Sequence, residues 1–315
     1  MTLRDADSSD AAVAAIVVTY NSSATLPRLL TSLDNSPISV HAIVVDNGSA
    51  DDTVAEAGRF PAARVIATGA NLGYSGGINV GRHYVAEGQA VAILNPDLEL
   101  DESALGTMLA ALDGDPTIGI VAPQLKNLDG TRFDSLRREP TVLSSLADAL
   151  FGERWRNRPT ALAETLRRDE DYVSLRDVAW AGGAALLISA QCNRVVGEWD
   201  AETYFLYSEE TDYARRCRAA GYRIRYVPTA IAWHVGSGSG QSAELVALMS
   251  VNRVRYFERL HGPARTALFR ATLALQHALR PRDPRHRTAL RYVLDRRSWN
   301  RLPRGDVPRR KTVST

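Results

Sequence analysis

Val13-Ala-Ala-Ile-Val-Val-Thr-Tyr-Asn-Ser-Ser23 opens the patterned part of the chain and decides how the rest is read. Residues 13–18 are small or β-branched and apolar without alternation, as in a strand buried on both faces. The segment then turns polar at Thr19-Tyr-Asn-Ser-Ser23, where such a strand would end. Over 24–33, Leu26, Leu29, Leu30 and Leu33 fall at helical spacing. The unit recurs. Residues 41–45 predict a second strand ending in Asp46-Asn-Gly-Ser-Ala-Asp-Asp-Thr53, whose serine and aspartates suit a helix cap. Val65 and Ile66 mark a third short strand before the glycine-rich 69–81, and residues 90–94 a fourth, broken by Asn95-Pro-Asp97. Strands alternating with helical patterns predict an α/β fold with a mostly parallel central sheet flanked by helices. Each predicted strand ends in a polar loop, and open α/β sheets bind ligands beyond the carboxyl ends of their strands.

Beyond residue 100 the pattern loosens. Residues 131–178, rich in Arg, Asp and Glu, read as a loop and helix excursion, and 180–188 as a strand returning to the sheet. A helix is expected over 208–221, strands over 222–227 and 230–234, and a flexible loop suited to a lid at Gly236-Ser-Gly-Ser-Gly240. Residues 241–275 read as helical and 280–311 as a basic tail.

The composition, 45% apolar and 23% charged over 315 residues, is that of a folded soluble protein. No apolar run approaches the roughly 18–20 residues of a spanning helix. The N-terminus is acidic and polar where a secretory signal would be basic and then apolar, which points to the cytoplasm. Cys192 and Cys217 are too few for a disulfide framework or a four-thiolate zinc site and read as buried thiols. The net charge of +2 hides an asymmetry: from Arg253 onward 17 basic residues face 4 acids, so this segment carries +13 and the rest −11. Without a zinc-finger, RNP or helix-turn-helix signature, and with few aromatics, nucleic acid is excluded as its partner. An anionic membrane surface suits it better, with Leu268, Leu273, Leu275 and Leu279 on an interfacial helix.

Two motifs carry specific chemistry. In Asn71-Leu-Gly-Tyr-Ser-Gly-Gly-Ile-Asn79, three glycines ahead of a helix would let backbone approach a ligand and leave helix N–H groups for an anion. There is no G-x-G-x-x-G fingerprint, so a dinucleotide-binding fold is disfavoured. In Asn95-Pro96-Asp97, a carboxylate fixed at the end of a buried strand calls for a cation. A Mg²⁺ or Mn²⁺ ion carried by a diphosphate would serve, completing its shell with phosphate oxygens and water.

In chain order, Val17-Val-Thr-Tyr-Asn21, Val45-Asp-Asn-Gly-Ser49, Asn71-Leu-Gly-Tyr-Ser-Gly-Gly77, Asn95-Pro-Asp97, Gly182-Gly183, Phe205-Leu-Tyr-Ser-Glu-Glu-Thr-Asp212, Gly221-Tyr-Arg-Ile224 and Trp233-His234 follow one another. Over about residues 13–240 this set resembles the family 2 inverting glycosyltransferases, and most of all their bacterial rhamnosyltransferase branch, which builds cell-wall linkers and O-antigens. The resemblance implies the GT-A fold and a nucleotide-diphosphate sugar donor. Thr19, Asn21 and Asp46 would line the base pocket, Asp46 accepting the pyrimidine ring N–H. Asn71, Gly73 and Asn79 would meet ribose and diphosphate, with Arg82 one helical turn on as a phosphate contact. Asp97 stands at the last acid of the family's Asp-x-Asp, and Asn95 at its first, which removes a charge and weakens the case for strict metal dependence. His234 matches a residue that ligates the metal or touches the diphosphate.

Inverting transfer needs a base to take the acceptor hydroxyl's proton. Glu210 matches the family's base, although the family's usual residue is Asp; Glu209 and Asp212 remain rivals, all three at a helix start whose dipole favours charge. Trp180, Gly182 and Gly183 match the segment beneath the transferred sugar, and Arg215 and Arg216 would brace the acids or reach a phosphate. The implied organisation is a disordered tail over 1–12, a GT-A domain over 13–240 with a nucleotide-binding half (13–100) and an acceptor and catalytic half (101–240), and a helical basic extension over 241–315. The implied reaction moves L-rhamnose from dTDP-rhamnose to a cell-envelope glycan or polyprenyl-diphosphate-linked acceptor, at the inner face of the bacterial plasma membrane. Two rivals stand beside it. A sugar-1-phosphate nucleotidyltransferase would need a glycine-rich, Arg- or Lys-bearing loop after the first strand, which Thr19-Tyr-Asn-Ser-Ser23 is not. The acids at 209, 210 and 212 speak against a non-catalytic nucleotide-sugar sensor.

Overall fold

The computed structural model describes residues 10–234 and 242–305. The first half runs β1 (Val13–Thr19), α1 (Leu26–Asp34), β2 (Val40–Asp46), α2 (Thr53–Ala57), β3 (Arg64–Ala67), α3 (Gly73–Arg82) and β4 (Ala90–Leu94). Then follow β5 (Leu98–Leu100), α4 (Ala104–Asp113), β6 (Ile118–Asn127), β7 (Leu136–Arg137), α5 (Val142–Leu150), β8 (Arg176–Asp177), β9 (Trp180–Ala181), β10 (Ala185–Ile188), α6 (Ala190–Val196), α7 (Glu209–Ala219) and β11 (Arg223–His234). Three helices, α8 (Ala243–Glu258), α9 (Pro263–Ala278) and α10 (Pro284–Leu294), complete the described chain.

The main sheet has the order β3-β2-β1-β4-β10-β6-β11-β5, with β8 added on β11. Strands β1, β2, β3, β4, β6 and β11 run one way; β5, β8 and β10 oppose them. Along β1, Val13, Ala15 and Val17 face α1 and α4, while Ala14, Ile16 and Val18 face α3, α6 and α7. Both faces are therefore covered, which is why the strand has no polar alternation. The parallel strands bring Thr19, Asp46 and Leu94 to one edge, and β10, starting there, pairs Ala185 with Leu94. Strands β6 and β11 project past that edge, and β5 turns back along β11 so that Leu98 pairs with His234.

Several expectations are corrected. The glycines of 73–81 lie inside α3, not ahead of it, and their task is packing. A Cβ on Gly77 would fall 2.6 Å from Val18 Cγ1, and one on Gly81 2.6 Å from Ile16 Cγ2, so the missing side chains let α3 lie directly on β1. Residues 180–188 are two strands in different sheets, β9 pairing with β7, because Gly182-Gly183-Ala184 leaves the extended path. The strands expected at 222–227 and 230–234 are one, β11, with a register shift between Val227 and Ile231. Ala11 is buried, its carbonyl accepts from Gln89 Nε2, and Ala12 N donates to Ser39 O, so 11–12 belong to the fold. The basic 280–311 stretch is no tail up to residue 305. Asp283 caps α10, whose Ala289 and Val293 enter a third core with Val251 and Phe257 of α8 and Phe269 and Leu273 of α9. That burial takes Leu273 off the expected membrane face; Leu268 and Leu279 stay exposed. The expected disorder of residues 1–9 and the lid at 236–240 lie outside the described residues.

Candidate functional site

Two strand tips build the first wall. Asp46, buried at the end of β2, accepts Thr19 Oγ1 (3.1 Å) and Ser49 Oγ on one oxygen, and Gly48 N (3.2 Å) and Ser49 N (3.0 Å) on the other. Asn21, in the left-handed region at φ 52°, donates its N–H to Ser49 Oγ and accepts Ala50 N on Oδ1. Thr19, Asn21 and Asp46 thus do meet, yet Asp46's four acceptor positions are filled within the loop. This network gives Asp46 the task of holding the wall in place; Thr19 Oγ1 has a second acceptor in Val45 O at 3.4 Å, and its turning there would free a lone pair of Asp46 for a ligand N–H. Asn47 Nδ2 donates to Gly73 O (2.8 Å), tying this wall to α3. Asn71 Oδ1 accepts Gly73 N, and Tyr74 N donates to Phe205 O (2.7 Å), so two N–H groups at the start of α3 are already satisfied by protein. Gly73 holds φ 77°, and a Cβ there would fall 2.3 Å from Phe205 O, so only glycine fits.

Tyr74 stands at the centre of the edge. Its hydroxyl donates to Asn95 Oδ1 (2.8 Å) and lies 3.2 Å from Gly183 O, while Asn95 N donates to Ala184 O. Burial, with the charges of Glu209, Glu210 and Asp97, holds its hydroxyl well above the usual tyrosine pKa. All three carboxyl groups therefore act on one ring. Across from it, His234 Nε2 stands 3.2 Å from Asp97 Oδ1, and the edge of Phe133 lies against the imidazole. Asp97 Oδ1 and both ring nitrogens of His234 are buried and find no hydrogen-bond partner among the described residues. A buried carboxylate oxygen and an imidazole nitrogen 3.2 Å apart, neither held by a well-formed hydrogen bond, fit a divalent cation that takes its other ligands from phosphate and water. Among the described residues, no three His, Cys, Asp or Glu groups gather closely enough to hold a metal by themselves.

Helix α7 delivers the acids. It is preceded by Tyr207 and Ser208, both at φ 70°, a conformation that L-residues adopt at a steric cost. Glu209 is buried with Oε2 unpartnered. Burial, then the neighbouring Glu210 carboxylate, pushes its pKa well above the usual glutamate value. Burial also raises Glu210, against the pull of backbone N–H groups at the helix start and of the Arg137 guanidinium. Glu210 lies over Gly183: a Cβ there would meet its Cβ at 3.4 Å. Arg137 sits above the Trp180 ring, 5.7 Å from its centroid, and donates to Asp134 O.

Asn95, Asp97, Glu209, Glu210 and His234 are thus brought together, with Gly73 and Asn71 beside them. Three expected residues are not. Asn79 uses its whole carboxamide on the backbone of Trp199, Nδ2 donating to its O and Oδ1 accepting its N, both at 2.8 Å. Arg82 donates to Asn193 Oδ1 and O, both at 2.9 Å. Eight residues beyond Tyr74, at 1.5 Å per residue, it is about 12 Å farther along α3. Asp212 is buried and ion-paired on both oxygens, by Arg216 Nε (2.8 Å) and Arg259 Nη1 (3.3 Å), which removes it as a base. Of the two arginines expected to brace the acids, Arg216 does so only for Asp212. Tyr74 and Arg137 were missed. Tyr74 was legible only as part of a glycine motif, and Arg137 comes from the irregular excursion, where no periodicity marks a side chain as inward.

Residues 14–173 match Glycosyl transferase family 2. The chain is 31% identical over 296 residues to the N-acetylglucosaminyl-diphospho-decaprenol L-rhamnosyltransferase of Mycobacterium tuberculosis, covering 88% of this chain and 95% of that one. It is 26% identical over 212 residues to a low-salt glycan biosynthesis hexosyltransferase of Haloferax volcanii, covering 66% and 62%. Among solved structures, it superposes on GalNAc-T7 with UDP, GalNAc and Mn²⁺ at a TM-score of 0.61 and 13% identity, over 90% of this chain and 56% of that one. On the mannosyltransferase PcManGT of Pyrobaculum calidifontis with GDP-Man and Mn²⁺ the TM-score is 0.54 at 17% identity, over 90% and 73%. The last two likenesses speak for the fold alone, the GT-A fold that the family resemblance implied. Taken with a cleft of carboxylates at the sheet's carboxyl edge, the sequence matches establish that the chain belongs to glycosyl transferase family 2 and is a glycosyltransferase, similar to rhamnosyltransferases.

Proposed function

We propose that the protein is an inverting transferase that moves L-rhamnose from dTDP-rhamnose to a polyprenyl-diphosphate-linked sugar, with Glu210 as its base. The observation that carries this is the meeting, around Tyr74, of the Asp97–His234 pair and the Glu209–Glu210 pair. The identity of the donor and acceptor draws its support from the mycobacterial relative, whose name states a rhamnosyl transfer to such a lipid.

The two glutamates divide the work by environment. Burial and the neighbouring carboxylate favour the neutral form of Glu209 more strongly than that of Glu210, whose charge the Arg137 guanidinium supports, so Glu210 is the better placed to act as the carboxylate. The Glu210 carboxylate accepts the proton of the acceptor hydroxyl as that oxygen attacks the anomeric carbon from the face opposite the departing nucleotide. Tyr74 holds Asn95 in place by its hydrogen bond, Gly183 lies beneath Glu210, and the Trp180 ring underlies Arg137. Asp97 and His234 would hold a divalent cation, which when bound neutralises charge on the leaving diphosphate. Leu150, Phe151, Trp155 and Leu279, exposed on or beside α5 and α9, support a seat on the membrane that carries the acceptor; no helix among the described residues is long and apolar enough to cross it.

The test is release of nucleoside diphosphate from a panel of dTDP-, UDP- and GDP-sugars with a polyprenyl-diphosphate-sugar acceptor. Turnover is expected with dTDP-rhamnose, and Glu210→Gln is expected to lower kcat by about 10²–10⁴-fold while donor binding persists. Equal rates for wild type and Glu210→Gln would remove the base assignment.

A further inference from the structure

The loop that presents the glutamates is pinned at three consecutive carbonyls, and two of the pins come from a single side chain outside the catalytic domain. Phe205 O accepts Tyr74 N at 2.7 Å. Leu206 O and Tyr207 O both accept from Asn252 Nδ2, at 2.9 and 3.1 Å. Asn252 lies on α8, is fully buried, and has its amide orientation fixed by Arg255 Nη1, which donates to Asn252 Oδ1 at 2.9 Å. Arg255 also reaches Thr203 O at 3.4 Å, farther up the same loop. Directly after the pinned carbonyls come Tyr207 and Ser208, two successive non-glycine residues at φ 70°, and then Glu209 and Glu210. A pair of left-handed L-residues persists only where the surroundings over-determine it. Asn252 supplies that constraint, and helix α7 can begin only after the turn has been made.

We propose that Asn252 is a positioning residue for catalysis: it holds the left-handed Tyr207-Ser208 turn and so aims Glu210, which makes α8 of the C-terminal extension part of the catalytic apparatus. This inference rests on Glu210 being the base. Phe205, Leu206 and Tyr207 also pack against the apolar core that joins α8 to α9 and α10, so the role of Asn252 in aiming the turn is separated from support of the fold by a loss in kcat that Ser208→Gly recovers.

The experiment is steady-state kinetics on the full-length chain carrying Asn252→Ala, with and without Ser208→Gly, beside Glu210→Gln. Misplacement of a catalytic group by about 1 Å costs roughly 100-fold, so Asn252→Ala is expected to lower kcat about 100-fold and leave the donor KM within about twofold. Glycine occupies φ near +70° without steric cost, so adding Ser208→Gly is expected to return about tenfold of the lost kcat, which a role in packing alone would not allow. If Asn252→Ala fails to fold, Asn252→Ser, which keeps one donor, is read for the same split. A kcat within about twofold of wild type, an equal loss in donor affinity, or no recovery with Ser208→Gly would each overturn the proposal. Full activity of Glu210→Gln would instead overturn the base assignment, a failure distinct from these.

Discussion

Replacing Gly77 with alanine tests whether the α3–β1 contact sets the position of the site. The added Cβ would lie 2.6 Å from Val18 Cγ1 and 3.0 Å from Cγ2, with Asn47 Nδ2 at 3.3 Å. An ordinary carbon–carbon contact is about 3.8 Å, so roughly 1.2 Å must be relieved. Val18 cannot relieve it by rotation, because both its γ-methyls stand in the way and its χ1 is stiff. Helix α3 must therefore rise off the sheet. Overpacking of this kind costs about 1–3 kcal/mol, which lowers Tm by roughly 2–10 °C in a chain of this size. The same shift carries Tyr74, one turn earlier on α3, away from Asn95 and Gly183, and strains the bond from Asn47 to Gly73 O. Loss of about 1 Å of registration there is expected to lower kcat by up to about 100-fold. Scanning calorimetry and nucleoside-diphosphate release measure the two effects, with Gly106→Ala in α4 as control. A Cβ at Gly106 meets only Ile38 Cγ2, at 3.6 Å, and alanine in a helix gains up to about 1 kcal/mol. If Gly77→Ala melts within about 1 °C of wild type and turns over at the wild-type rate, the packing argument is wrong.

Burial holds the Glu209 carboxyl above its ordinary 4.5, so the folded state binds a proton that the unfolded state has lost, and stability falls as pH rises from 4.5 through the folded pKa. Glu209→Gln is therefore expected to raise Tm at pH 7–8 relative to wild type, with the gap closing as pH approaches about 4.5; a gap that stays constant across that range would contradict the assignment. His234→Ala is expected to abolish the Mn²⁺-dependent part of the thermal shift produced by dTDP and to spare the metal-free part. An undiminished Mn²⁺ effect would mean that His234 is not a ligand.

The legible part of the fold is the part in which local pattern and tertiary environment agree. Strands β1, β2 and β4 read correctly because each is a mostly apolar run buried on both faces, and β3, half-buried at the sheet's end, is marked only by Val65 and Ile66; the polar ends of these strands mark the edge where the site lies. The glycines of α3 misled the reading. A glycine leaves no trace of whether its missing side chain makes room for a ligand or for Val18, and at Gly77 it is Val18. The family resemblance puts Asn79 and Arg82 near the ribose and diphosphate, but their side chains satisfy nearby backbone instead, that of Trp199 and Asn193. The three acids after Ser208 read alike as a first helical turn, and only packing separates them: Asp212 meets two arginines, Glu209 meets none, and Glu210 faces Arg137. Asn252 gave no signal at all, because its partners are carbonyls 45 and 46 residues away.

The charges of the cleft explain both of its departures from the family pattern. Asp97, Glu209 and Glu210 all act on a buried tyrosine, and Arg137 is the cation that acts on Glu210. An aspartate at position 95 would add a fourth carboxylate at hydrogen-bond distance from Tyr74, before an anionic donor has entered. Asparagine accepts the same tyrosine bond without the charge. Burial and the neighbouring Glu210 push Glu209 toward its neutral form, which lowers the charge further. Asp97 and Glu210 against Arg137 then leave a net charge of about −1. Such a cleft attracts a free divalent cation only weakly, since two ligands and little net charge do not repay dehydration. The diphosphate changes that sum, because it brings the oxygens that complete the shell. Asp97 and His234 therefore suit a cation that arrives with the donor, and in the proposed mechanism the extra methylene of Glu210 lets its carboxylate reach over Gly183 from a helix whose start the proposed Asn252 clamp holds.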